Sequence, residues 1–173
     1  MTDQAPIADL AEFTPGAGTA RQFRDALGCF GTGVTVVTAR SGDGPMGMTA
    51  NSFSAVSLDP ALVLWCPAQR SPRHDIFAEA PHFSIHVMAE DQQDLAAGFA
   101  RAGDDFSAVD WSSSPEGVPL LSGCLARFDC ARHAVHDGGD HSIVVGRVIR
   151  AALRPGNGLI FKRGRFGGFT DLL

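Results

Sequence analysis

The 173-residue chain is poor in the features that mark the most easily recognised functions. Lys and Arg form no stripe and the net charge is −5, so the electrostatic footprint of a nucleic-acid binder is absent. No run approaches the ~20 apolar residues that cross a bilayer. The start, "MTDQAPIADLAEFTPGAGTA", lacks the basic residues and continuous apolar core of a secretory signal, which predicts a cytoplasmic protein. None of the four thiols, Cys29, Cys66, Cys124 and Cys130, stands in a Cys-x-x-Cys pair. In a reducing compartment they read as small core residues, and a zinc site built from them is disfavoured. There is no Walker loop, nucleophile elbow or zinc-protease motif. "GCFGTG" at 28–33 has the wrong glycine spacing for a dinucleotide fingerprint and follows a helix pattern, where the motif needs a strand. Repeats and low-complexity tracts are missing too.

What is present is an ordinary globular composition, 45% hydrophobic and 19% charged, with 20 glycines. Glycine at that level favours a turn-rich sheet protein, and the length suits one core. Residues 1–18 read as a mobile arm and 19–173 as one domain. Thr19 and Gln22 have capping-box spacing ahead of Phe23, Ala26, Leu27 and Phe30, which predicts a helix over 20–29. "GVTVVTAR" is a β-branched strand, "SGDGP" a hairpin turn, and residues 46–60 the returning strand region. "ALVLWC" at 61–66 reads as a strand buried on both sides. "HFSIHVM" at 82–88 alternates, with Phe83, Ile85 and Val87 on one face; His82 and His86, on the other, are expected to face solvent or a subunit contact.

Ser71 and Pro72 have the chemistry of an N-cap and first helical residue, and "AEDQQDLAAGFAR" carries acidic residues in its first turn, as the helix dipole prefers. Residues 102–122 form an irregular excursion around Trp111. Two long strand patterns, "CLARFDCARHAVH" and "HSIVVGRVIRAAL", are joined by "DGGD", and "GLIFKR" and "RFGGF" close the chain. The fold class is therefore mainly β with peripheral helices, an antiparallel barrel of six to seven strands.

The stretch "MGMTANSFSAVSLDP" (46–60) poses the chemical question. Thr49, Asn51, Ser52, Ser54 and Ser57 interrupt an otherwise apolar strand pattern, and a buried polar group without a partner costs roughly 1–3 kcal/mol. Such groups face water, cap their own backbone, or hold a polar ligand. The predicted helix start at Ser71, flanked by Arg70, Arg73 and His74, offers free N–H groups for an anion. His133, His136, Asp137, Asp140 and His141 crowd into nine positions, a composition that suits iron or zinc. Crowding at a hairpin tip is the favoured explanation, because a metal cage also needs a ligand from elsewhere and a second shell. The expected metal complement is none.

Together these segments resemble the flavin reductase family built on the FMN-binding split barrel, the reductase partners of two-component flavin-dependent monooxygenases. The resemblance covers roughly residues 20–170 and is carried by "FRDALGCFGTGVTVVTA", "GMTANSFSAVSLDPALVLWC", "SPRHDIF", "FSIHVM", "DLAAGFA", "GDHSIVVGRV" and "KRGRFGGF". It implies hydride transfer from NADH or NADPH to FMN or FAD, and release of reduced flavin to a separate oxygenase. It also implies that Thr49, Ala50, Asn51 and Ser52 line the isoalloxazine edge, with Ser54 and Ser57 serving the turn or water. Cys66, Pro67 and Ala68 through Ser71 would meet the flavin phosphate, Ser71 and Arg73 directly; Pro67 and Ala68 stand where relatives often carry a more polar pair. Gly139, Asp140 and His141 match the family's Gly-Asp-His motif, which makes His141 the residue that orients the nicotinamide. Phe99, Arg165 and Phe166 are implied ring or tail contacts, and a homodimer with the flavin near its interface is expected. A flavin- or haem-binding split barrel without turnover, and a metal-dependent barrel enzyme using residues 133–141, are the competing readings.

Overall fold

A computed structural model describes residues 10–170. Residues 1–9, half of the expected arm, lie outside the described residues. The elements are α1 (Ala20–Leu27), β1 (Thr32–Gly33), β2 (Thr35–Ser41), β3 (Gly44–Ala50), β4 (Ser54–Leu58), β5 (Ala61–Trp65), α2 (His74–Glu79), β6 (His82–Val87), α3 (Gln93–Arg101), β7 (Trp111–Ser113), β8 (Pro119–Leu121), β9 (Ala126–Asp137), β10 (Ser142–Leu153), β11 (Ile160–Lys162) and β12 (Arg165–Gly167). Seven strands make one antiparallel sheet in the order β3-β2-β6-β9-β10-β5-β4. The expected class, an antiparallel split barrel with helices outside, is the one observed.

The edges of that sheet are β3 and β4, which are consecutive in the chain. Residues 51–53 therefore cross the split in the barrel, and backbone groups beside them are not consumed by a ladder. Val37, Ala39, Met48, Val63, Trp65, Phe77, Phe83, Ile85, Cys130 and Val144 fill one core. A second core, with Val34, Val36, Met88, Ala96, Phe99, Phe106, Leu121 and Leu159, lies between the sheet and α3. β2 contributes to both, with Val37 and Ala39 on one face and Val36 on the other, and its buried run Thr35–Thr38 is β-branched at every position.

Several local expectations change. Thr19 does not cap α1: its hydroxyl donates to Thr14 O (2.8 Å), and the helix ends at Leu27. None of its residues is buried, and Phe23, Leu27 and Phe30 are exposed because no element among the described residues covers that face. β5 is not buried on both sides. Val63 and Trp65 point into the core, while Ala61 is exposed and Leu62 and Leu64 are half-buried. Ser71 does not cap α2 either, since the helix starts at His74 after a turn in which Ser71 Oγ accepts from Arg73 N–H (3.3 Å).

His86 is the largest correction. It is fully buried, not at the surface, because β8 covers that face of β6. Its Nδ1 lies 3.0 Å from Val36 O, and its Nε2 accepts from Leu121 N–H at 3.0 Å. These bonds fix the Nδ1–H tautomer. Burial is the main cause that pushes the imidazole down to about 4, with Arg127 adding to the shift and the Val36 bond and Asp129 opposing it. Ser84, on the same face, donates to the buried Asp129 (2.9 Å), and Thr38 donates to Pro119 O (2.5 Å). The polar face of β6 is thus the seat of the excursion.

Candidate functional site

Three sequence-distant segments meet beside the split. Ser52 Oγ accepts from Cys66 N–H at 2.9 Å, joining residues 51–53 to the loop after β5. That loop is pinned in turn to the β9–β10 turn, through Gln69 N–H to Asp140 O (2.9 Å), Ser142 N–H to Pro67 O (3.0 Å) and a β-bridge between Ala68 and His141. Gly139 makes the turn possible with φ of +80°, a region that side chains disfavour.

The hydroxyls of the opening stretch have their answer here. Thr49 Oγ1 donates to Ala96 O (2.5 Å), tying β3 to α3, and Ser52 serves Cys66. Ser54 bonds locally to Ala55 O (3.2 Å), and Ser57 sits half-buried at a bulge of β4, on the other edge of the sheet. The side-chain amide of Asn51 and the outward backbone of β3 remain. Gly47 N–H donates away from β2 to Gly103 O (2.7 Å), and its C=O accepts from Arg73 (2.9 Å). The alternation of an antiparallel ladder then turns the backbone of Thr49 to the same open edge, where among the described residues no backbone partner from outside the ladder meets it.

Against this edge, Val34, Thr49, Ala50, Asn51, Ala100 and Phe166 line a crevice of about 180 Å³. It shares Asn51 and Phe161 with a groove of about 770 Å³ that reaches Arg24, Phe30, Thr32 and Arg163, inside the range of about 300–1,000 Å³ usual for small-molecule sites. Phe161 and Phe166 pack edge to face with centroids 5.4 Å apart. Small residues at Ala50 and Ala100, aromatic walls and unpaired amide donors fit the edge of a planar heterocycle with a polar rim, and the Arg24 and Arg163 side chains line the wider part of the groove. Sequence patterns had not singled out Arg24, Phe30, Phe161 or Arg163 for this groove. They fall in stretches that carry the resemblance or close the chain, "FRDALGCFGTGVTVVTA" for Arg24 and Phe30 and "GLIFKR" for Phe161 and Arg163.

The remaining sequence-predicted residues are distributed unequally. Arg73 reaches back from the loop, its guanidinium donating to Gly47 O (2.9 Å), Phe99 O (2.7 Å) and Ala100 O (3.3 Å). It caps the C-terminal carbonyls of α3, where the helix dipole favours a cation. Phe99 is 2% exposed and stacked on Phe106 (4.9 Å), in the second core behind β3. Arg165 is exposed on β12. Cys66 is half-buried with its thiol pushed up by burial, so it stays protonated near neutrality. Arg70 is exposed next to Asp140 and helps hold that carboxyl below its ordinary range, after the larger effect of the His141 hydrogen bond. His141 Nδ1 lies 2.7 Å from Asp140 Oδ1; the carboxylate accepts that proton and, on this part-exposed ring, leaves Nε2 without a partner among the described residues. Among the described residues no group of three His, Cys, Asp or Glu side chains is placed to hold a metal ion, and no helix is long and apolar enough to cross a membrane.

A model of the flavin reductase like domain matches residues 27–170. The FMN reductase (NADH) SmoA of Agrobacterium fabrum is 57% identical over 158 residues, 91% of each chain. The reductase component of flavin-dependent trigonelline monooxygenase from Acinetobacter baylyi is 47% identical over 84% of this chain, which spans 48% of that longer protein. Among solved structures, the Streptomyces globisporus NADH:FAD oxidoreductase SgcE6, in complex with NAD and FAD fragments, superposes with a TM-score of 0.85 at 40% identity, covering 94% of this chain and 98% of that one.

Proposed function

The chain belongs to the flavin reductase-like domain family, and on that premise we propose that it is an NADH-dependent flavin oxidoreductase supplying reduced FMN or FAD to a separate monooxygenase. The nicotinamide supplies a hydride from C4 and the flavin accepts it at N5, so no side chain has to act as a nucleophile. The protein's work is placement. Asn51 and the outward backbone of Thr49 give donors to the rim of the ring, Ala50 allows close approach, and Phe166 supports it. The loop from Cys66 to Ser71, with Arg70 at its exposed side, lies where a phosphate tail would end, and Arg73 shapes that loop from behind. Asp140 holds the His141 ring so that Nε2 meets the nicotinamide carboxamide or ribose.

The observation that carries this reading is the joining of residues 49–52, 66–71 and 139–142 into one surface by short hydrogen bonds. A homodimer is part of the proposal. Its support is the apolar face of α1, which no other described residue covers, and the exposed Val56 and Leu58 on edge strand β4, which a second copy would bury.

Purified protein mixed with NADH under air is expected to oxidise it only when FMN or FAD is added. His141→Ala is expected to raise the KM for NADH several-fold more than the KM for flavin. Absence of flavin-dependent oxidation with either nicotinamide nucleotide would overturn the function, and an unchanged nucleotide KM would remove His141 from its role.

A further inference from the structure

One row of side chains has no part in the account above. His74 opens α2, with its side chain 15% exposed. Its Nε2 lies 2.8 Å from Ser142 Oγ and its Nδ1 lies 2.7 Å from Asp75 Oδ1. In the neutral ring the Asp75 carboxylate takes the Nδ1 proton, so Nε2 accepts from the Ser142 hydroxyl. A Ser-His-Asp row invites a hydrolytic reading, but Ser142 is 7% exposed and closed to an acyl substrate. Its value is mechanical.

We propose that His74 is a positioning residue for the nicotinamide side of the site, acting through Ser142 on His141; the proposal rests on the role given to His141 above. Successive side chains on a strand point to opposite faces. His141 therefore faces out while its neighbour Ser142 is gripped from behind by α2. The His141 ring has one side-chain partner, Asp140, on the same exposed turn. Its position is therefore inherited from the backbone of residues 140–142. The regular pairing of β10 with β5 covers only Val144–Arg147, so nearer the turn that backbone is attached to the loop by the Ala68 bridge, the bonds of Gln69 and Ser142, and His74. The loop itself has independent anchors in Arg73 and Cys66. Apart from its ties to the loop, the turn is held among the described residues only by its own hairpin, through the pairing of Ser142 with Asp137 and the bond from Gly138 N–H to His141 O (3.0 Å). Loss of the His74 bond therefore frees the hairpin tip relative to the loop and weakens nicotinamide placement more than flavin binding.

The test compares His74→Phe, Ser142→Ala, the double variant, and His74→Gln, whose amide can still meet Ser142. One uncompensated hydrogen bond corresponds to about three- to tenfold in an equilibrium constant. His74→Phe and Ser142→Ala are each expected to raise the KM for NADH by that factor, with kcat and flavin KM within about twofold. The double variant is expected to match the worse single, because both remove the same contact. His74→Gln is expected to restore the NADH KM to within about twofold. In flavin-free protein, hydrogen exchange at the Gln69 and Ser142 amides is expected to quicken about three- to tenfold in His74→Phe and Ser142→Ala.

An unchanged NADH KM, an equal rise in flavin KM, or additive effects in the double variant would overturn the proposal. So would unaltered exchange at both amides. The exchange measurement does not depend on turnover. If the unsubstituted protein oxidised no NADH, the functional reading would fail while the exchange arm still reported on the clamp.

Discussion

Replacing His86 by Asn removes a titrating group from the interior while leaving a donor for Val36. In the native protein the ring sits at about 4 against an ordinary 6.5, chiefly because burial opposes its charge. The native state therefore binds fewer protons than the unfolded chain between those two values. The stability that the neutral ring contributes is complete above about pH 6.5 and is lost as the pH falls toward about 4. At about 1.4 kcal/mol per pKa unit the full loss is about 3 kcal/mol, of which about 2–3 kcal/mol is spent by pH 4.5. Urea unfolding of flavin-free protein, followed by tryptophan fluorescence at one fixed protein concentration, measures it. At pH 7.5 the Asn variant is expected to be about 1–3 kcal/mol less stable, since Leu121 N–H loses its acceptor. Between pH 7.5 and 4.5 the unsubstituted protein is expected to lose about 2–3 kcal/mol more than the variant. Surface carboxylates titrate in both proteins and cancel. Parallel stability curves would refute a neutral, doubly bonded His86.

Gly47→Ala drives a Cβ into Phe99 Cδ1 and to 2.6 Å from Cε1 of the same ring, so thermal unfolding is expected to show about 1–3 kcal/mol of destabilisation from overpacking; an unchanged melt would contradict the close approach. Arg73→Met removes the donors to Gly47, Phe99 and Ala100. It is expected to cost about 2–3 kcal/mol in urea unfolding and to raise the flavin KM, and a variant that weakens flavin binding without losing stability would instead make Arg73 a direct ligand. Burial pushes the Cys130 thiol up to about 12 and leaves it 1% exposed. A disulfide reagent at pH 8 is expected to label the exposed Cys29 at once and Cys130 only after unfolding. Labelling of Cys130 in the folded protein would be the contrary result.

Hairpins and turn chemistry were legible in the amino-acid order. "SGDGP" turns between β2 and β3, and "DGGD" turns between β9 and β10, because glycine and short polar residues act through local backbone geometry. The Gly-Asp-His turn and the loop after β5 were legible as separate pieces, and only the barrel brings them within bonding distance. What was not legible depends on which element covers which face. Alternation separated Phe83 and Ile85 from Ser84 and His86 correctly, yet the polar side of β6 is buried because the aperiodic segment 102–122 folds over it and supplies Leu121 as a partner of His86 and Pro119 as a partner of Thr38 on neighbouring β2. The same blindness applied to Arg73, where charge beside a serine suggested an anion ligand. Its guanidinium spans from α2 to the end of α3, a contact between residues 26 positions apart. The groove around Arg24, Phe30, Phe161 and Arg163 joins the two ends of the chain, which no local pattern encodes.

The most direct test of the central claim is a crystal structure grown with saturating FMN. The ring edge is expected against the backbone of residues 49–52 beside Phe166, with the phosphate within hydrogen-bond distance of residues 69–71. Flavin density elsewhere on the protein, with the crevice at Asn51 left to solvent, would contradict it.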